Sequence, residues 1–175
     1  MPDVAFECVR SQEQIAEAAR LAKEIWTEHY VRIIGQAQVE YMLAKFQSRE
    51  AIADQIAGES EYYLIVQADQ KVGYFAIVPE PASQSMLLSK IYVRHDRRGS
   101  GLGQAALAFI GDLCRQRGIR TLWLTVNRHN DRSIHWYERM GFVNAGPIVQ
   151  DIGGGFVMDD FRMEKTVDTN SGFRL

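Results

Sequence analysis

Apolar residues recur every three or four positions in the first third of the chain and fall into short runs after it. Behind Ser11, a residue suited to cap a helix, Ile15, Ala18, Ala19, Ala22 and Ile25/Trp26 form a single stripe, which predicts a helix through about residue 28. Val39, Met42, Leu43 and Phe46 predict one or two further helical pieces within residues 36–58. A first strand is predicted over residues 4–10. Beyond residue 60 the runs become β-like, at 62–68 and 72–78, with Asp69-Gln70-Lys71 as a hairpin turn and Pro79 and Pro81 ending the second run. A run at 86–93, rich in β-formers, precedes a helix carrying Leu102, Ala105, Ala106, Phe109, Ile110 and Leu113. A strand over 121–126, a helix over 131–140 and a closing hairpin of 142–151 and 156–164, turning at Gly153-Gly154-Gly155, complete the pattern.

Hairpin-length turns join most of these strands, which predicts a largely antiparallel sheet. The strand ending at Val93 reaches the strand starting at Thr121 only through a whole helix, so those two are predicted to be parallel, joined by a right-handed crossover. The fold class is α/β of the α+β type: a central mixed, mostly antiparallel twisted sheet of about seven strands flanked by helices. No repeat, low-complexity tract or linker interrupts the chain. One domain over residues 1–166 and a polar, flexible tail over 167–175 follow.

The 175 residues are 46% hydrophobic, enough to build a sizeable core without staples. A net charge of −2 leaves no basic excess for binding nucleic acid. Cys8 and Cys114 lie far apart among apolar neighbours without metal-like spacing, which predicts buried thiols in a reducing compartment and no metal. The start, Met1-Pro2-Asp3-Val4-Ala5-Phe6-Glu7, lacks the basic and apolar regions of a secretory signal. No apolar run approaches the roughly 18 residues of a membrane span. A cytoplasmic protein without a membrane or nucleic-acid partner is the expectation.

The candidate chemistry begins at Arg98-Gly99-Ser100-Gly101-Leu102-Gly103, between the 86–93 run and the following helix. Glycines at a strand-to-helix turn admit a ligand to the backbone and aim several N–H groups at one point, where the helix dipole adds positive potential. Arg94, Arg97 and Arg98 supply further cationic character. Glycines in such a place also serve a plain tight turn. A P-loop is excluded because Gln104 and Ala105 follow Gly103 where Lys and Ser/Thr are needed. A dinucleotide fingerprint is excluded by the G-x-G-x-G spacing and by Asn127, not an acid, ending the next strand.

Arg-x-x-Gly-x-Gly after a strand resembles the acyl-CoA loop of the GCN5-related N-acetyltransferases (GNAT). A second signature of that family, Asn-x-x-Ala/Ser-x-x-x-Tyr on a helix ending in a Gly-Phe turn, is similar to Asn130, Ser133, Tyr137 and Gly141-Phe142 here. The resemblance covers residues 60–166 and extends in outline to the N-terminal part. There, Glu24-Ile25-Trp26-Thr27-Glu28-His29-Tyr30, followed by Ile34-Gly35-Gln36 and Tyr41-Met42-Leu43, is similar to members that acetylate polyamines or other small amines.

The resemblance implies splayed parallel strands holding the pantetheine arm of acetyl-CoA, the loop 98–103 holding its pyrophosphate, and direct transfer to an amine without an acyl-enzyme. Backbone groups of Ile91, Tyr92 and Val93 would pair with the pantetheine, with the N–H of Tyr92 or Val93 at the thioester oxygen. Asn130 and Ser133 would lie along the coenzyme, Asn130 also being a helix cap in any reading. Tyr137, two turns on, would protonate the departing thiolate, the alternative being a packed aromatic. Many relatives carry a Glu on the strand before the loop; Ser89-Lys90 stands there instead. The general base is thus left among a relayed water, an already neutral amine, Glu28 or His29 on the first helix, and Asp151, Asp159 or Asp160 on the final hairpin. Acids flanking an acceptor mouth favour a small cationic amine, with Glu28, His29, Asp151 and Asp159 as candidate substrate contacts. The alternatives are acetylation of protein N-termini or lysines, a non-catalytic acyl-CoA-binding module, and an unrelated nucleotide-binding protein. Phe156, Val157 and Met158 suit either a dimer edge or the core of one chain, and a homodimer is the base-rate expectation.

Overall fold

The computed structural model describes residues 3–168. In chain order the elements are β1 (Val4–Cys8), α1 (Gln12–His29), α2 (Val31–Ile34), α3 (Gln36–Phe46), α4 (Arg49–Ala57), β2 (Glu61–Gln67), β3 (Gln70–Glu80), β4 (Ser85–Val93), α5 (Leu102–Gln116), β5 (Thr121–Asn127), α6 (Asp131–Arg139), β6 (Val143–Gly153) and β7 (Phe156–Thr166). The seven strands form one sheet in the order β1-β2-β3-β4-β5-β7-β6. The β1–β2, β2–β3, β5–β7 and β6–β7 pairs are antiparallel. The β4–β5 pair is parallel, with registered partners from Ser85↔Thr121 to Leu87↔Trp123, and that ladder stops while β4 runs on to Val93 and β5 to Asn127. The position of β7 between β5 and β6 had no sequence signal.

The chain gathers into two compact units. Among the described residues, one comprises residues 3–78 together with Lys90–Ala106; the other comprises Pro79–Ser89 together with residues 107–168. In the first unit, α1 starts with a capping box: Ser11 Oγ accepts from the Gln14 N–H at 3.1 Å while Gln14 Oε1 accepts from the Ser11 N–H at 3.0 Å. The buried stripe of α1 is Ile15, Ala18, Leu21, Ala22, Ile25 and Trp26, wider than the predicted one by Leu21 and without Ala19. Strands β2 and β3 are buried on both faces over Tyr62–Ile65 and Val72–Ile77, which explains why their residues read as continuous apolar runs.

Four predicted details change. The β2–β3 turn is the two-residue Ala68-Asp69, with φ of 50° and 60°, because two left-handed residues match strand twist and allow Gln67 to pair with Gln70. Pro79 lies inside β3; β2 begins at Glu61, opposite Ile77, so nothing on β2 requires an N–H from Pro79. Pro81 opens a 3₁₀ turn and does end the strand. Cys114 is buried as predicted, but Cys8 is only half-buried. Of the expected tail, Val167 is packed, with its N–H on the Arg120 carbonyl at 2.8 Å, and residues 169–175 lie outside the described residues.

Gly73 on β3 meets a strict steric demand. A Cβ there would collide with the Tyr92 carbonyl oxygen and lie 3.2 Å from the Val93 Cα, so the end of β4 keeps its position only against a glycine.

Candidate active site

In the first unit, the end of β4 has two unlike edges. The Arg94 N–H donates to the Val72 carbonyl at 2.8 Å, toward β3. Strand alternation turns the Tyr92 N–H to that same edge and those of Ile91 and Val93 to the opposite one. Of the two residues expected to offer an amide, Val93 therefore has the suitable direction, joined by Ile91, while Tyr92 faces β3 with its backbone. The Tyr92 ring packs instead, 5.5 Å from Trp26, 6.1 Å from Tyr30 and 5.5 Å from Tyr74, centroid to centroid. That cluster joins the C-terminal end of α1 to the end of β4, and no single residue signalled it in advance. It also locates two candidates: His29 packs edge-on against Tyr30 at 4.7 Å, and Glu28 beside it is exposed.

Beyond β4, a 3₁₀ turn at His95–Arg97 leads into the glycine loop. Gly99 and Gly101 adopt φ of 77° and 82°, and no atom lies within 4 Å of where a Cβ would stand on either. Both conformations favour glycine, and both sites open onto free space that a side chain would fill. The first bond of α5 runs from the Ala105 N–H to the Gly101 carbonyl at 3.0 Å. The amides of Leu102, Gly103 and Gln104 are thus the orphan donors of a helix start, with the positive end of its dipole. Ser100 Oγ donates to the Arg97 carbonyl at 2.6 Å and fixes the bend. Arg98 Nε donates to the Val93 carbonyl at 3.1 Å, tying loop to strand. The expected arginine reserve is partly committed: Arg94 pairs with Glu24 at 3.4 Å and Asp96 at 3.2 Å, and Arg97 with Asp96 at 3.8 Å.

Where many relatives carry a strand glutamate, this strand buries a cation. Lys90 is 8% exposed; its Nζ donates to Gln55 Oε1 at 2.6 Å and to the Tyr62 hydroxyl, 4.8 Å from the Tyr62 ring centroid. Burial pushes its pKa down from 10.5 to about 7. The unfolded chain then holds a proton that the folded chain gives up, so stability rises as pH climbs from about 7 toward 10.5. Lys90→Met is expected to stabilise the fold at pH 6 by on the order of 2–3 kcal/mol, and to lose that advantage by about pH 10. Thermal unfolding of both proteins at the two pH values tests this; a Met variant less stable at pH 6 contradicts it.

In the second unit, the β5–α6 corner carries the other candidates. Asn130, 3% exposed, caps α6: its Oδ1 accepts from the Ser133 N–H at 3.3 Å, and its own N–H donates to the Asn127 carbonyl at 2.9 Å. Tyr137 follows two turns on, half-buried, with its ring 5.1 Å from Trp136 and 5.5 Å from Phe142. The Phe142 N–H donates to the Tyr137 carbonyl at 3.0 Å, so the Gly141-Phe142 turn fixes the residue from both ends. On the closing hairpin, exposed Asp151 accepts from the Gly153 N–H at 2.8 Å, and Asp159 pairs with Arg128 Nε at 2.8 Å. Both acids thus have local structural partners. Phe156 and Met158 are half-buried and Val157 is 47% exposed, with Val143 and Val149 more exposed still. Also unforeseen in the sequence is the stack of Arg162 on Trp123, guanidinium carbon 3.9 Å from the ring centroid, with Trp123 Nε1 donating to Glu80 at 2.6 Å. Among the described residues no group of acids, histidines or cysteines is arranged to hold a metal, and no helix is long and apolar enough to cross a membrane.

A family model for the acetyltransferase (GNAT) family matches residues 17–142, from within α1 through the Gly-Phe turn. The chain belongs to the acetyltransferase (GNAT) family. Among relatives, a streptothricin acetyltransferase of Streptomyces lavendulae is 36% identical over 89 residues, 50% of this chain and 47% of that protein. A [ribosomal protein bS18]-alanine N-acetyltransferase of Escherichia coli (strain K12) is 36% identical over 91 residues, 51% of this chain and 61% of that protein. The matches thus span about half of the first relative's length and three-fifths of the second's. In fold, the PaiA N-acetyltransferase of Thermoplasma acidophilum, solved in complex with coenzyme A, superposes with a TM-score of 0.74 at 20% identity, over 93% of this chain and 99% of the other.

Proposed function

We propose that this GNAT protein transfers the acetyl group of acetyl-CoA directly to the primary amine of a small, cationic acceptor. The observation that carries the reading is the glycine turn. Gly99 and Gly101 leave open space beside the orphan amides of α5, a cradle that any Cβ would fill, and its chemistry suits a pyrophosphate. Ile91 and Val93 present amides on the edge of β4 away from β3, where the peptide-like pantetheine pairs as an added strand does. The amide of Val93 or Ile91 polarises the thioester carbonyl. Asn130 and Ser133 hold the corner of α6 along the coenzyme, and Tyr137 gives its phenolic proton to the leaving thiolate. With the nucleophile supplied by the acceptor, Cys8 and Cys114 have no part; burial pushes the Cys114 thiol up to about 11, which leaves it inert at neutral pH.

Support for a small cationic acceptor comes from the streptothricin acetyltransferase relative and from exposed Glu28 beside His29 at the end of α1. Asp159 contributes less than its charge suggests, being neutralised by Arg128. A second reading, acetylation of a protein N-terminal alanine, is favoured by the relative that acts on ribosomal protein bS18. Thiol release from acetyl-CoA, measured with polyamines, aminoglycoside and streptothricin-type antibiotics, amino acids and alanine-starting peptides, separates the two. Turnover confined to small polyamines or antibiotics is the expected result; turnover confined to peptides transfers the reading to protein N-termini.

A further inference from the structure

Asp160 is the one carboxylate among the buried charged side chains of the described residues, at 5% exposure. It lies on β7 opposite Asn127 of β5 and Ile148 of β6, so two strands enclose it from both sides. The groups facing it leave its charge uncompensated. On its own strand, Arg162 is stacked on Trp123 and paired with Glu164 at 2.9 Å. Asp159, its neighbour, takes Arg128 and adds a like charge. From β5 come the neutral Asn127 and Thr125, and from β6 the neutral Ile148 and Gln150. The Thr125 side chain hydrogen-bonds to the carboxyl and favours its charged form. Burial outweighs that bond and holds the pKa up, from 3.8 to about 6.

A buried acid with no cation is costly in a strand where Asn or Leu would fit, and such conflicts collect where chemistry needs them. Its position fits that reading. Asn127, its cross-strand partner, accepts from Asn130, the cap of the helix that carries Tyr137. We propose that Asp160 is the general base of the reaction, oriented by Thr125, and that it takes the proton from the acceptor's ammonium group. This rests on the acetyl-transfer reading above. Asp160 removes one proton from R–NH3⁺ and passes it to solvent; the neutral amine attacks the thioester carbon, the C–N bond forms and the C–S bond breaks. The thiolate leaves with the proton of Tyr137, which recovers one from the amide nitrogen, so the sum is R–NH3⁺ plus acetyl-CoA giving the amide, CoA thiol and H⁺.

The test uses the full chain with its best amine, as wild type, Asp160→Asn and Thr125→Val, with acetyl-CoA binding by calorimetry beside turnover. Asp160→Asn is expected to lower kcat/KM for the amine by about 100-fold or more at unchanged acetyl-CoA affinity, and to remove the fall in activity below about pH 6. Thr125→Val is expected to keep the fold and move that fall to higher pH, because the bond it deletes favours the carboxylate. An Asp160→Asn enzyme within about threefold of wild type with the same pH profile overturns the assignment, as does a Thr125→Val profile that does not move. A wild type that binds acetyl-CoA yet acetylates no amine overturns the transfer reading instead, and the base with it.

Discussion

Valine at position 101 is expected to weaken acetyl-CoA binding by about 100-fold or more, while the protein stays folded. Gly101 sits at φ 82°, a conformation that costs a β-branched residue about 1–2 kcal/mol. That strain is a minor part of the effect, since the same turn is exposed and nothing lies within 4 Å of its Cβ position. The larger part is steric. A valine side chain would occupy the space beside the Leu102, Gly103 and Gln104 amides and hold a diphosphate beyond hydrogen-bond reach. Losing several charge-assisted bonds of about 1.5–3 kcal/mol each gives the predicted drop even if water restores some of them. Calorimetric titration with acetyl-CoA, beside a melting curve, reads both parts. Unchanged affinity in a folded variant would remove the glycine turn from the binding site.

Tyr137→Phe is expected to keep acetyl-CoA affinity and lose turnover by a factor of about 100 to 10,000, the usual span for a positioned general acid. The substitution removes one oxygen and leaves the ring between Trp136 and Phe142, so the packing of α6 and the Gly141-Phe142 turn persists. A role in packing alone predicts an enzyme with wild-type turnover. The kinetic signature is a kcat that falls without a matching change in the KM for acetyl-CoA. A Phe variant with wild-type kcat would leave the thiolate proton to water or to another donor.

Elements set by local chemistry were legible from residues alone. Ser11 announced the start of α1 and Asn130 that of α6, since a cap is a contact between near neighbours. The parallel β4–β5 pair followed from the intervening helix, because a whole-helix connection is what lets consecutive strands run in the same direction. What escaped depends on long-range placement. Lys90 stood out only for being, with Ser89, where many relatives carry a Glu, yet Gln55 and Tyr62, 35 and 28 positions away, close around it. Asp151, Asp159 and Asp160 read as three similar acids; only register distinguishes a turn cap, an ion pair and a buried carboxyl. Likewise Tyr92 and Val93 looked interchangeable as the amide at the thioester until the Arg94–Val72 bond fixed which amides face away from β3, those of Val93 and Ile91.

Initial rates of CoA thiol release, with acetyl-CoA and the accepted amine both varied, test the central claim most directly. Direct transfer in a ternary complex predicts intersecting reciprocal plots, one acetylated amine per thiol released, and no release without the amine. Parallel plots, or a burst of thiol before the amine is added, would mean an acetylated protein intermediate and would contradict the account.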